Sequence, residues 1–398
     1  MNNLEPDGIN VASAETSIKL DVDGISKPYE VFRIRLDRLY YNDRNGRIAT
    51  WISRYKAENG DLDVTSESYN DIIHGFIFDS NPQAMKKTLN NIKTVKQRVP
   101  GVVLRDGRII DGNRRFTCLR ILSKDDPQFD FFEAVILDHD YTKNEKTIKA
   151  LELRLQHGAD KQVDYNPIDR LVDVYNDLIR DRLFTPKEYA KIIDSSLSEV
   201  NKKIELAKIL VEFLEFINAP LQFHLARDYD LDGPLNEIYG ALSKVADENQ
   251  KENIKRTMFT NLIMRPNSDM TRYIRKIKNV LTDPDLANVF LAKQDIFADE
   301  LIESISDVGE ISDKVIRESI QSNVELKEKL EKSVEEAFST YSRQEIRNEP
   351  VNQILSVKDL IDRIDINVLK LVDGSKMDGI KKSLDAIETK ARELKDQL

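Results

Sequence analysis

The stretch "GVVLRDGRIIDGNRRFTCLRIL", residues 101–122, decides how the chain is read. Residues 102–104 and 108–110 are short β-prone runs joined through Asp106-Gly107, a turn signal that predicts an antiparallel hairpin. A helix is expected to begin near Asn113, directly after the second strand. Its first turn would point unpaired N–H groups and partial positive charge outward. Gly112 lets a ligand approach the backbone closely. Arg114 and Arg115 add planar guanidinium forks that match phosphate oxygens. Strand, glycine, helix start and paired arginines together describe an anion site. The same arginines can instead pair with local acids such as Asp111 or Glu133, and the sequence leaves both readings open.

Working outward, the pattern predicts an α+β chain. Residues 1–27 are polar and are expected to be a flexible N-terminus. Residues 28–142 mix strands and helices: "YEVFRIRL" alternates as a half-buried strand does, "QAMKKTLNNIKTV" has helical spacing, and "FFEAVIL" is a further strand. Residues 143–250 read as an all-α domain. There "TPKEYAKII" offers Thr185 as N-cap, Pro186 at the first helical position and Glu188 completing a capping box. The turn "DSS" and the helix "LSEVNKKIELAKIL" complete a helix-turn-helix. Asp194 takes the turn position that glycine usually occupies.

Residues 251–398 read as a helical C-terminal region. Ile316, Ile320, Leu330, Val334 and Phe338 make one stripe, which Pro350 is expected to end. After Gly374, Met377, Ile380, Leu384, Ile387, Ala391, Leu394 and Leu398 alternate three and four apart, a short coiled-coil seam. That seam over 377–398 either joins two chains or packs in cis.

Composition narrows the function. The 398 residues carry a net charge of −10, which argues against indiscriminate coating of nucleic acid. The charge is uneven: residues 281–398 hold 26 acids and 17 bases, whereas residues 251–280 hold eight bases and two acids. The single cysteine, Cys118, excludes an internal disulfide framework and leads us to expect a cytoplasmic protein. Four dispersed histidines offer no zinc-ligand spacing, so no metal site is expected, and no apolar run is long enough for a membrane span. Two surfaces are candidates for DNA. The second helix of the helix-turn-helix presents Ser196, Ser198, Asn201, Lys202 and Lys203. The basic island presents Arg272, Arg275, Lys276 and, less closely, Lys278 on one helix face. The helical pair can equally be a connector, and the island can equally pair with the acidic tail.

The stretch "IIDGNRRFTCLRIL" resembles the Gly-Glu-Arg-Arg box of the ParB/sulfiredoxin-like superfamily, whose partition proteins bind nucleoside triphosphate and DNA. Three further stretches follow in the family's order. "YNDRNGR" is similar to the upstream Asn-Pro-x-Gln-Pro-Arg box, with Asn42 and Arg47 at the same spacing. "LRLQHGADKQVDYNPIDRLVDVYNDL" keeps Gln156 and the run Asn166-Pro167-Ile168. "FTPKEYAKIIDSSLSEVNKKIELAKIL" resembles the partition helix-turn-helix. The resemblance covers roughly residues 30–212. It implies a ParB/sulfiredoxin-like domain holding a nucleoside triphosphate, CTP or ATP, through Arg47, Gly112, Asn113, Arg114, Arg115 and Gln156. Asn113 stands where the family has Glu, and Leu153-Arg154 where it has Glu-Asn, so oxygens that handle Mg2+ in the family are missing. The sulfiredoxin cysteine position is likewise Asn113. The implied function is a nucleotide-responsive DNA-binding protein of a plasmid, phage or anti-phage defence operon, with an operon partner protein. Two alternatives remain: an enzyme (NTPase, nuclease or nucleotide-dependent kinase, with Asp111 and Glu133 as candidate acids), and a non-catalytic adaptor that docks a partner through its acidic helices.

Overall fold

The structure is a computed structural model that describes residues 3–22, 24–159, 166–306 and 311–398. Five strands, β1 (Val11–Val22), β2 (Ile25–Arg35), β3 (Gly101–Leu104), β4 (Ile109–Asp111) and β5 (Phe131–Leu137), form one sheet in the order β1-β2-β5-β3-β4. Only β3 and β5 pair in parallel among these. Between or after the strands lie α1 (Ala49–Asn59), α2 (Tyr69–Ser80), α3 (Pro82–Val95), α4 (Asn113–Leu122) and α5 (Glu145–Ala159).

The sheet is buried on both faces. Ile34, Val103, Ile109 and Phe132 pack with Ile73 of α2, Met85 and Ile92 of α3 and Phe116 of α4. Val31, Val102, Leu104, Ile110 and Val135 pack on the other side with Ile148 and Leu151 of α5. A strand enclosed in this way has no solvent side, which is why "GVVL" is a continuous apolar run. Each of these fully buried side chains contributes about 1.5–3 kcal/mol by leaving water.

Residues 1–27, expected to be flexible, behave otherwise where they are described. Leu4 and Val11 are buried, and Val11–Val22 pairs along β2 with a register shift between Ser13 and Ser17. The sparse apolar residues suffice because Val11 joins the core against α2, α3 and α4, Leu20 and Val22 join the one against α5, and the ladder itself satisfies the backbone.

The remainder is helical. In order come α6 (Pro167–Val174), a π turn over Tyr175–Arg180, α7 (Pro186–Ile192), α8 (Leu197–Phe216), α9 (Phe223–Asp228), α10 (Asp232–Leu242), α11 (Glu248–Met264), α12 (Met270–Val280), α13 (Pro284–Ser306), α14 (Asp313–Val315), α15 (Val324–Asp362), α16 (Ile366–Leu369) and α17 (Gly374–Asp396). The Asn166-Pro167-Ile168 run is a helix start: the Asn166 side chain accepts the Ile168 N–H, and Pro167 occupies the first turn, where no N–H is required. Residues 160–165, within the stretch that carries Gln156 and Asn166, lie outside the described residues. Among the described residues, no helix is long and apolar enough to cross a membrane.

The chain divides into two compact units, Met1–Glu335 and Glu336–Leu398. Within the first, the α/β layer is stitched to the helices after it. Asp169 of α6 accepts the Thr50 N–H of α1 at 3.0 Å, and Arg227 of α9 donates to the Thr50 hydroxyl at 3.0 Å. Pro350, expected to end a helix, lies inside α15. It deprives the Ile346 carbonyl of its intrahelical donor, but Ile346 is 70% exposed, so water can take the vacancy.

Candidate functional site

The helix start that dominated the sequence is built as expected. Gly112 caps α4 with φ 99°, and a Cβ there would lie 2.8 Å from the Phe132 ring and 3.0 Å from the Arg115 guanidinium. Only glycine fits that close approach. The two arginines then diverge. Arg115 folds back over Gly112, donating to Asp111 Oδ2 at 2.7 Å and to the Pro100 carbonyl at 3.4 Å. Arg114 is half-buried one position earlier, and the Asn113 side chain is buried. Arg115 is therefore already neutralised by Asp111, the local pairing that the sequence had left open.

The other members of the expected anion site sit on separate elements. Arg47 is half-buried on the turn Gly46–Ile48, and Gln156 on α5 donates to Glu152 at 3.0 Å. The candidate acids do not converge. Strand β3 runs between Asp111 on β4 and Glu133 on β5, two strand spacings or about 10 Å. Among the described residues no group of three or more His, Cys, Asp or Glu side chains is placed to hold a metal ion. Cys118 is buried, its Sγ 3.9 Å from the Met85 carbonyl, and burial pushes its thiol up to about 12. It is a core residue without thiolate chemistry at neutral pH.

A different site is present, and sequence reasoning missed most of it. Residues 43–46 of the "YNDRNGR" loop face α5, α6 and the π turn across a cavity of about 370 Å³. Asn42 and Asn45 shape the loop: both are buried, and their side chains accept the backbone N–H groups of Arg44 and Arg47. The inner wall is a buried charge cluster. Lys149 lies 3.5 Å from Asp173, 3.7 Å from Glu152 and 3.9 Å from Asp177. Burial pulls the Lys149 ammonium down, but the three acids outweigh it and keep it charged well above the ordinary lysine range. Burial pushes Glu152 up to about 7 and Asp177 up to about 8, against the opposing pull of Lys149. Asp177 Oδ2 is buried and has no hydrogen-bond partner.

The cations at the cavity's rim are about half exposed. Arg44 pairs with Glu145, and Arg180 with Asp181 at 2.7 Å, with arginine side chains 53% and 47% exposed. Exposed pairs contribute about 0–1 kcal/mol, so an incoming phosphate can take over Arg44 at little cost, whereas Arg180 is held by two parallel bonds to Asp181. Lys149, Asp173 and Asp177 were legible only as spacing: the two aspartates are four apart within "VDVYND", an interval that puts acids on one helix face.

The helix-turn-helix adjoins this cluster. The capping box at Thr185 and Glu188 forms with both of its hydrogen bonds, and Asp194 takes φ 51° in the turn. Lys146 of α5 reaches Glu188 at 3.0 Å. Tyr189 of α7 is buried, and burial together with Asp177 and Asp173 raises its phenol pKa. On α8, Ser196 is the N-cap and accepts the Glu199 N–H, and Lys203 pairs with Glu199 at 3.0 Å. Lys202 lies over the Tyr239 ring at 5.6 Å. Ser198 and Asn201 are exposed.

The basic island on α12 is largely engaged. Glu237 of α10 binds both Arg275, at 2.7 Å, and Lys278, and Lys276 reaches Glu335 at 2.5 Å. Arg272 is exposed.

No family model and no curated protein matches the chain. Among solved structures, the C2221 form of a Pnob8-like ParB-N domain is similar over 61% of this chain and 95% of that one, at 13% identity and a TM-score of 0.28.

Proposed function

We propose that the chain is a ParB-like DNA-binding protein whose helix-turn-helix responds to a nucleotide, CTP or ATP, held in the cavity between residues 43–46 and the helices after α5. The observation that supports this most directly is the shared foundation of the two parts. Lys149, Asp173 and Asp177 form the cavity's inner wall, and Asp177 and Asp173 also act on Tyr189 in the first helix of the helix-turn-helix. A ligand that draws on Arg44 and Arg180 at the rim, or repartitions charge at Lys149, acts on elements that grip α7.

Labelled CTP and ATP titrated into the full chain, with and without Mg2+, test the reading. Micromolar to millimolar binding is expected. Arg44→Ala and Arg180→Ala should each weaken it about tenfold, because a charge-assisted hydrogen bond contributes about 1.5–3 kcal/mol. No binding of either nucleotide sinks the nucleotide half, and release of inorganic phosphate or nicking of DNA would move the chain to the enzyme reading.

The C-terminal unit supports a second proposal, that two copies associate through 377–398. On α17, Leu384, Ile387 and Leu394 are 40–44% exposed along one stripe. Leu384→Asp with Ile387→Asp should yield a folded monomer in sedimentation, and a wild type already monomeric at micromolar concentration ends this proposal.

A further inference from the structure

Residues 80–105 carry six bases, Lys86, Lys87, Lys93, Lys96, Arg98 and Arg105, and no acid. Arg105 pairs with Glu5 and Asp138. The other five are exposed, and none makes an ion pair with a described acid. They lie on or just after α3, which is rigidly mounted. Asn81 caps it by accepting the Ala84 N–H at 2.9 Å, and Met85 and Ile92 are buried in the core. Gln97, just past its end, is hydrogen-bonded to the Glu133 backbone of β5 at 2.7 and 2.9 Å. Helical spacing places Lys86, Lys87, Asn90 and Lys93 within about a third of the circumference, on the side away from Met85 and Ile92.

We propose that this face of α3 is a second DNA-contacting surface that tracks the phosphates of a duplex. The proposal rests on the reading that the chain binds DNA and adds where the duplex is held. The chemistry of the face selects this occupant. It presents lysine ammonium groups and the amides of Asn90 and Asn91, which suit phosphate and sugar oxygens. Lys86 and Lys93 are seven residues apart, about 10.5 Å along the helix, which matches about three phosphates of one strand at 3.4 Å each. Along α3 itself no large apolar side chain is exposed, the nearest being Phe78 before it and Val99 after it, so a protein partner would find no anchor on the helix face. The face carries no aromatic ring on which single-stranded bases could stack.

The test is the salt dependence of binding of the full chain to a fluorescein-labelled duplex of mixed sequence. Replacing Lys86, Lys87 and Lys93 together with alanine should flatten the log-affinity against log-salt slope by about 2 to 3, at roughly 0.9 per lost phosphate contact. Lys93→Gln alone should flatten it by about 1, and Lys93→Arg should restore it. Lys202→Ala with Lys203→Ala reports on the helix-turn-helix. If that pair weakens binding while the α3 triple variant keeps the wild-type slope, the α3 surface is refuted and DNA binding stands. If the wild type binds no duplex at low salt, both readings fall. If the triple variant loses polyglutamate binding but not duplex binding, the face belongs to an acidic protein and the inference is overturned. An unchanged circular dichroism melt accompanies the expected result, since all three lysines are exposed.

Discussion

Two stretches of this chain are rich in bases, and the fold treats them in opposite ways. Residues 251–280 hold eight bases and two acids, yet most of that charge is answered from elsewhere. Glu237 takes Arg275 and Lys278, Glu335 takes Lys276, Glu212 takes Lys255, and Asp295 and Asp299 take Arg256. Residues 80–105 look less basic by count, but five of their six bases meet no described acid. The difference lies in the neighbours. α12 packs mainly on α10, whose own sequence holds two acids and no base, whereas α3 packs mainly on α4, whose own sequence contains no acid. A local tally of charge therefore predicts the field poorly; what matters is which elements the fold brings alongside.

A buried cation extends the comparison and gives the largest expected effect. Lys149→Met strips three acids of their counter-ion, and breaking a buried ion cluster in this way should lower stability by about 3–5 kcal/mol in urea unfolding. Lys93→Met on α3 should stay within about 0.5 kcal/mol. Equal losses would erase the distinction between the two kinds of lysine.

Glu237→Gln carries the contrast to the surface. It releases Arg275 and Lys278 and should cost about 1 kcal/mol, because both pairs are partly solvated. The slope of DNA affinity against salt should then steepen by up to about 2. An unchanged slope would put α12 out of reach of the duplex whatever its charge.

The last effect expected is with pH. Glu152, Asp169 and Asp177 are raised to about 7, 7 and 8, in each case chiefly by burial. Their folded pKa values exceed the unfolded ones, so the folded state binds extra protons. Stability from this source is complete below about pH 4 and declines as pH rises through 7 to 8. The melting temperature at constant ionic strength should fall from pH 5 to pH 8.5, and Asp177→Asn should reduce the fall. The α3 lysines, which make no ion pair with a described acid, should leave the profile unchanged when removed.

Local signals were read well where they act over a few residues of chain. The Gly112 cap, the Thr185 capping box and the left-handed Asp194 all form because their hydrogen bonds or dihedrals involve residues within four positions. What could not be read depends on distant partners. Asp111 engages Arg115 within one helical turn, yet nothing in the sequence chose that pairing over phosphate. Lys149 finds Asp173 and Asp177 from another helix. β1 needs β2 beside it before its few apolar residues can hold it. Pro350 lies mid-helix because its cost is local and the surrounding turn is solvated.

The π turn over Tyr175–Arg180 has a mechanical consequence. Its Asp181 N–H bonds the Asn176 carbonyl, five residues back, so the turn contains one residue more than an α-helical turn. Deleting one residue there would restore ordinary α-helical hydrogen bonding and rotate everything beyond it by about 100° around the α6 axis. Asp173, before the turn, would stay beside Lys149, while Asp177 and the helices α7 and α8 would swing away together. The segment thus works as a phase setting between two halves of a rotor, and its residue count should tolerate change far less than its residue types.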